Sequence, residues 1–386
     1  MSIDKLIEDN YFKKKKTLSL TEEEISTGKI WFRPALLSDF DAIMAFGDQY
    51  GGRDYFWALY EEFLSDPDNI CLVALVKDTM VGYAMTGLID GGVSVVGRCG
   101  RVDPRLRRRG IFVALQDELD RLAMQKFETL LYETFSKETK AKTVESITPY
   151  RPGYNAVCSG KIVAVCFPQN TMRSDGIENS SQSYSYVKRL GYADLKLLLH
   201  TDAVASELFP SRRLFHFMVG YRLLEANVRH ILCKRSCVLV SLEQRHDSES
   251  CHSGPGTSSG NRLCKTETES SCNQLDVHSV HRVSMMTNYL CYPTRDGKGF
   301  SVILHIHARP DMPHRDLTGH LRYLKGDMQR RFPGRDGVVT AMYATPLRRG
   351  QVLSCFRDVG FSEAIPDSDS LVVLWERPKG NICPKL

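Results

Sequence analysis

The chain is 386 residues long, 42% hydrophobic and 25% charged, with a formal net charge of +5. That length leaves room for two domains of ordinary size, and the balance is that of a globular protein rather than a disordered or fibrous one. The charge is too small and too little interleaved with aromatics for a general nucleic-acid surface, and no run approaches the roughly 18 apolar residues of a membrane span. No nucleic-acid or membrane partner is therefore expected. Twelve cysteines are scattered without a C-x-x-C pair, and no signal-like apolar segment opens the chain. They read as reduced thiols in a cytoplasmic setting. Cys233 and Cys237 lack the second pair a four-ligand zinc site needs, so no metal is expected.

Residues 1–28 are polar and charged, with a lysine run at Lys13–Lys16, and read as a flexible tail. Ile30–Arg33 is a short strand stopped by Pro34. A helix follows with Phe40, Ile43, Met44 and Phe46 on its apolar side. The stretch Tyr55–Leu64, rich in aromatics, makes a second helix whose rings serve packing and an acceptor pocket. Ile70–Val76 and Met80–Ile89 form a hairpin about Lys77-Asp78-Thr79, and Val93–Val102 is the next strand.

Gly100–Leu122 is the most informative stretch. Ile111, Leu115, Leu119 and Leu122 recur at helical spacing, while Gln116, Asp117, Glu118 and Asp120 face water. Ahead of that helix, Arg105, Arg107, Arg108 and Arg109 crowd around Gly110. A helix N-terminus carries unpaired N–H groups and partial positive charge, so a glycine at its mouth flanked by arginines suits a pyrophosphate.

Beyond the helix, Thr129–Phe135 and Lys161–Phe167 read as strands. Tyr184–Leu190 reads as a short helix closed by Gly191, and Tyr192–His200 as a strand. Arg213–Leu232 is a strand leading into a bend or helix. Ser, Thr, Gly, Glu and Asn dominate 241–279, which reads as a disordered linker. Then come strand Phe300–His307, helix Leu317–Phe332, strand Val338–Tyr343, helix Gln351–Val359 and strand Leu371–Trp375. His305 and His307 alternate onto one strand face, where packing or substrate contact is expected of them in the absence of a third metal ligand.

The run Val102-x-Pro104-x-x-Arg107-x-x-Gly110-x-Phe112 resembles motif A of the GCN5-related N-acetyltransferases (GNATs), V-x-P followed by Q/R-x-x-G-x-G/A. The element order from Ile30 to Phe135 is similar to that family's too. The resemblance implies an α/β fold of mixed α+β character, a GNAT fold with a twisted mixed sheet, followed by a degenerate second GNAT-like half. It implies acetyl-coenzyme A as co-substrate, bound by Arg101, Val102, Arg107, Arg108, Arg109, Gly110, Ile111 and Phe112. Phe112 stands where the motif has Gly or Ala, and its ring is expected to crowd the cofactor. Where many members carry a glutamate, four residues before the motif valine, this chain has Arg98. Glu133 is the substitute base, and Tyr186 the thiol proton donor.

Within that family the tandem arrangement, with Tyr50-Gly51-Gly52-Arg53-Asp54-Tyr55 near the start, resembles the vertebrate histidine N-acetyltransferase group. This implies a small-molecule acceptor, the α-amine of a free amino acid, L-histidine above others. The alternatives are an acetyltransferase for a peptide or protein amine and a catalytically impaired binding protein. On this reading 29–205 is the acetyltransferase domain, 206–240 a connecting strand region, and 280–386 the degenerate C-terminal domain.

Overall fold

The computed structural model describes residues 29–47, 54–127, 129–140, 143–147, 152–167, 187–242, 275–310, 312, 314–344, 346–362, 364–365 and 369–379. The tail at 1–28, Tyr186 and most of the Ser/Gly-rich segment, 243–274, lie outside them. Contacts divide the chain into a smaller unit, 1–87 with 97–128, and a larger one, 88–96 with 129–386.

In the smaller unit, β1 (Ile30–Pro34), β2 (Asn69–Val76) and β3 (Thr79–Ile89) are consecutive antiparallel strands, with Ile30 opposite Val76 and Ile70 opposite Thr86. The turn between β2 and β3 has positive φ at Lys77 (45°) and Asp78 (60°), the geometry of a tight hairpin. Strand β4 (Ser94–Val102) enters this unit at Gly97 and leads into helix α3 (Ile111–Lys126). Leu72, Ala74, Val76 and Ala84 bury one strand face against Ile111, Leu115 and Leu119 of α3. Against the other face stand helices α1 (Phe40–Met44) and α2 (Phe56–Ser65), whose Phe56 and Tyr60 rings meet Tyr83 of β3 at 5.0 and 6.1 Å. The alternation in β2 and β3 thus serves two different layers.

The larger unit carries a mixed sheet. From the first half of β4 its order runs through β5 (Tyr132–Thr139), β14 (Ser370–Pro378), β6 (Asn155–Phe167), β13 (Asp336–Tyr343), β12 (Gly299–Ala308), β11 (Val283–Pro293), β10 (Ser236–Leu242) and β7 (Val187–Arg189). The pairs β4–β5 and β12–β13 are parallel, the others antiparallel. Helices α8 (His314–Arg331) and α9 (Arg349–Asp358) bury Leu317, Leu321, Met328 and Phe356 on one face. Helices α4 (Tyr192–His200) and α5 (Asp202–Leu208) bury Leu195, Leu198 and Leu208 on the other. Strands β8 (Arg213–His216) and β9 (Val219–Arg222) form a separate hairpin, and α6 (Val228–Ile231) and α7 (Val277–Val280) are single turns.

Three sequence expectations are corrected here. Tyr192–His200 is a helix, because Leu195, Leu198 and Leu199 recur at helical spacing and are buried together. Within Tyr184–Leu190, of which 187–190 are described, Val187–Arg189 is a strand paired with β10, and Gly191 caps the start of the following helix, its N–H donating to the Asp194 carboxylate at 3.2 Å. The division at the Ser/Gly-rich segment does not separate two sheets. Strand β6, read as part of the first domain, lies between β14 and β13, and Ser241 and Leu242, read as linker, belong to β10. Low-complexity composition marks where a chain lacks apolar side chains. It does not tell which strands pair.

Candidate functional site

The turn between β4 and α3 is tied at its base. The Asp103 carboxylate accepts the Arg105 backbone N–H at 2.9 Å and the Arg105 guanidinium at 2.6 and 3.0 Å, and Leu106 is buried. Burial pushes the Asp103 carboxyl up, but the Arg105 hydrogen bonds outweigh it and hold the group below its ordinary value. With the base held, Arg107, Arg108, Arg109 and Gly110 are all exposed. Arg108 (φ 66°) and Gly110 (φ 80°) are both left-handed, which curls the main chain into the concave form that gathers N–H groups around an anion.

Gly110 is the N-cap of α3, and the Ala114 N–H makes the first helical bond, to the Gly110 carbonyl at 2.9 Å. The amides ahead of it have no carbonyl of their own helix to meet. No acidic residue stands in the first turn, and a Cβ at Gly110 would meet nothing within 4 Å. The residues present therefore fit a diphosphate: an open mouth, positive dipole end, and three arginines leading into it.

Helix α3 lies close on strands that glycines keep low. A Cβ at Gly82 would meet Leu115 at 3.0 Å, and one at Gly97 would meet Gln116 at 3.2 Å. At Gly100 it would overlap the Phe112 ring. Phe112 thus lies down on the strand at a position with no side chain. A large residue in the motif is matched by a small one twelve positions earlier, a pairing that spacing alone did not reveal.

The opposite face of β4 holds residues the sequence reading missed. Cys99 sits in mid-strand with φ 55°, a conformation that costs a non-glycine residue about 1–3 kcal/mol and marks a break in the regular strand. Its thiol points to the Tyr55 hydroxyl at 3.5 Å, and burial pushes it up from its usual pKa. The Arg98 guanidinium lies 5.1 Å from the Phe63 ring centre. Arg101, expected at the cofactor, is 2% exposed. Its guanidinium donates to Asp54 at 2.7 Å and stacks 4.5 Å from the Phe56 ring centre. Any contact Arg101 makes with a cofactor is left to its main chain. Two glycines bracketing Cys99 were the sequence signal for this irregular strand.

In the larger unit Glu133 is 2% exposed and ion-paired with Arg377 and with Lys379 at 3.2 Å. Burial pushes its carboxyl up, but Lys379, a hydrogen bond with Tyr154 and Arg377 together draw it below the usual carboxylate range. A carboxylate so held is ionised at neutral pH and is a weak base. Tyr186, the expected proton donor, lies outside the described residues. Among the described residues no three His, Cys, Asp or Glu side chains gather as metal ligands.

No family model matches the chain. A histidine N-acetyltransferase from Xenopus tropicalis is 26% identical to it over 125 residues. The chain resembles the GCN5-related N-acetyltransferases. The match spans 32% of this chain and 38% of that relative, well short of the relative's length. Among solved structures, a tandem GNAT protein from the clavulanic acid biosynthesis pathway is 14% identical, with a TM-score of 0.47 over 91% of this chain and 98% of its own. An aminoglycoside 6′-N-acetyltransferase complexed with coenzyme A is 17% identical, with a TM-score of 0.28 over 33% of this chain and 87% of its own.

Proposed function

We propose that this chain is a GCN5-related N-acetyltransferase that moves an acetyl group from acetyl-coenzyme A to the α-amine of a free amino acid, L-histidine above others, in the cytoplasm. The observation that carries the reading is the mouth of α3, where left-handed Gly110 leaves open space at the positive end of a helix with no acid in its first turn and with exposed arginines ahead of it. The amides of the first turn, at Ile111 and Phe112, hold the diphosphate, with Arg107, Arg108 and Arg109 around it. The main chain of Arg101 and Val102 aligns the pantetheine arm, and the irregular strand at Cys99 turns an amide toward the developing oxyanion. When bound, acetyl-coenzyme A supplies the thioester carbonyl. The attacking amine must be neutral, and its proton passes to Glu133 or to water as the C–N bond forms and the C–S bond breaks. Tyr186 returns a proton to the departing thiolate.

The acceptor rests on the Xenopus tropicalis relative. A second reading, a member that binds coenzyme A without turnover, is favoured by Arg98 standing where many members carry a glutamate and by the cations that hold Glu133 as a weak base. An acetyltransferase for a peptide amine is a further outcome. Thiol release from acetyl-coenzyme A, measured with single amino acids and with short peptides, separates them. Turnover with histidine and none with peptides is the expected result. Coenzyme A binding without turnover on any amine selects the second reading, and no coenzyme A binding rejects both. In the active case Glu133→Gln lowers kcat about tenfold while leaving coenzyme A affinity unchanged, and an unaltered kcat removes Glu133 from proton transfer.

A further inference from the structure

A second site lies in the larger unit, at the carboxyl ends of the parallel strands β12 and β13, the place where open α/β sheets bind ligands. A cavity of about 50 Å³ is lined there by His305, His307, Phe209, Arg213, Phe215 and Met342 among others. His305 is 1% exposed, and neither of its ring nitrogens has a hydrogen-bond partner. The His307 ring is bonded to the Phe215 backbone, and its Nε2 is buried without a partner. Buried polar atoms are satisfied almost everywhere in folded proteins, so unmet nitrogens lining one cavity require a ligand or water.

We propose that this cavity binds a small uncharged molecule that both donates and accepts hydrogen bonds, a carboxamide or a neutral azole of about four or five non-hydrogen atoms. Size follows from the cavity, since a water needs about 10–15 Å³ and 50 Å³ holds about three to five of them. Polarity follows from the rings. The His307 Nδ1–H is committed to the Phe215 carbonyl, so Nε2 is an acceptor and calls for a donor on the ligand. A neutral His305 offers one donor and one acceptor.

Neutrality follows from the charges already present. Arg213 is ion-paired with Glu376 at 2.5 Å, and burial holds the imidazoles uncharged, His307 being lowered to about 4. A carboxylate would find its lone pairs facing the lone pair of His307. The walls suit a flat molecule, with the Phe215 ring parallel to His305 (13°, centroids 6.4 Å) and Phe209 edge-on to His307 (centroids 4.8 Å).

The test titrates the full chain at pH 8 with acetamide, imidazole and acetate, following the long-range ¹H–¹⁵N signals of the histidine rings and the Tm. Acetamide or imidazole is expected to saturate with a Kd of about 1 mM or tighter, moving the His305 and His307 signals and raising Tm, while acetate leaves them in place. His305→Phe, which keeps a ring and removes both nitrogens, is expected to weaken binding at least about tenfold (about 1.4 kcal/mol) and to raise the unliganded Tm. The proposal is overturned if neither probe saturates, if acetate binds equally, or if His305→Phe binds as the parent does. Should that variant not fold, crystals of the parent soaked in acetamide decide the matter. Ordered water alone in the cavity rejects the site.

Discussion

The chain makes a strand–helix–parallel-strand step twice, and the two steps are finished differently. At the first, β4 pairs with β5 at only three positions, Ser94 to Val96, and β4 then carries Cys99 in a left-handed conformation before the glycine turn into α3. At the second, β12 pairs with β13 at eight positions, from Gly299 to Ile306. The helix that follows has an acid in its own first turn, Asp316, which is buried and accepts the Ser284 hydroxyl at 2.6 Å. One helix start thus has no acid in its first turn and exposed arginines ahead of it, whereas the other is furnished with an internal anion. The dipole that is proposed to hold a phosphate at α3 is answered within the protein at α8.

The sharpest way to break this comparison is at the glycine. Gly110→Glu should raise the Kd for coenzyme A at least about 100-fold, since a side chain and a negative charge would enter the proposed anion cradle against an unfavourable φ. His314→Glu at the second helix should leave that Kd unchanged. Calorimetric titration of both variants checks the pair, and equal effects would remove the distinction between the two ends.

The second unit should also carry the larger acid sensitivity. His320, fully buried between Ser241 and Thr287, is lowered to about 3 by burial, and His307 to about 4. In the unfolded chain both titrate near 6.5, so stability is complete above that pH and falls as the unfolded state takes up protons the folded state refuses, from about 6.5 down to the folded values. Carried to the folded values, the loss is on the order of 5 kcal/mol for His320 and 3 kcal/mol for His307. His320→Gln keeps a hydrogen-bonding side chain without the titration, and urea unfolding between pH 7 and 4 should show a shallower decline than the parent. An identical decline would place the acid sensitivity elsewhere.

Gly100→Ala tests the close packing of α3. The added methyl would overlap Phe112 and cost about 1–3 kcal/mol, and Phe112→Ala in the same chain should return most of that loss. Additive costs in the double-mutant cycle would mean that the two residues do not share space. The smallest effect is expected at Asp316→Asn, which retains the Ser284 contact but gives up the charge at the α8 dipole, for about 0.5–1 kcal/mol by thermal unfolding. If the same variant acquired coenzyme A binding, the acid alone would be what closes that helix end.

Much of the local structure was legible because it is written in short-range patterns. The alternation of β2 and β3, the stripe of α3 and the V-x-P-x-x-R-x-x-G order of the turn all involve neighbours in sequence. Sequence pattern fails where elements are set by distant partners. Val187–Arg189 is a strand because β10 is beside it, and β11, among the most buried strands, carries Ser284, Thr287 and Asn288 whose partners are Asp316, His320, Phe215 and His216. Polar residues in a strand suppress its pattern until those partners are known.

The site divides along the same line. That Gly110 and the arginines after Pro104 stand at the start of a helix could be read from sequence, since a helix start and its charges are local matters. The direction of the Arg101 side chain into Asp54, the left-handed kink at Cys99 and the ring of Phe112 on Gly100 could not.

By itself the sequence determined the helices and strands with clear period, and the turn chemistry at Gly110, because backbone preference and amphipathic spacing act over a few residues. Tertiary structure alone decided that β6 lies between β14 and β13, that Glu133 is held by Arg377 and Lys379, and that two histidines line one cavity. Strand pairing and the desolvation of charged groups depend on which surfaces meet after the chain has folded, and that is set by packing between segments far apart in sequence.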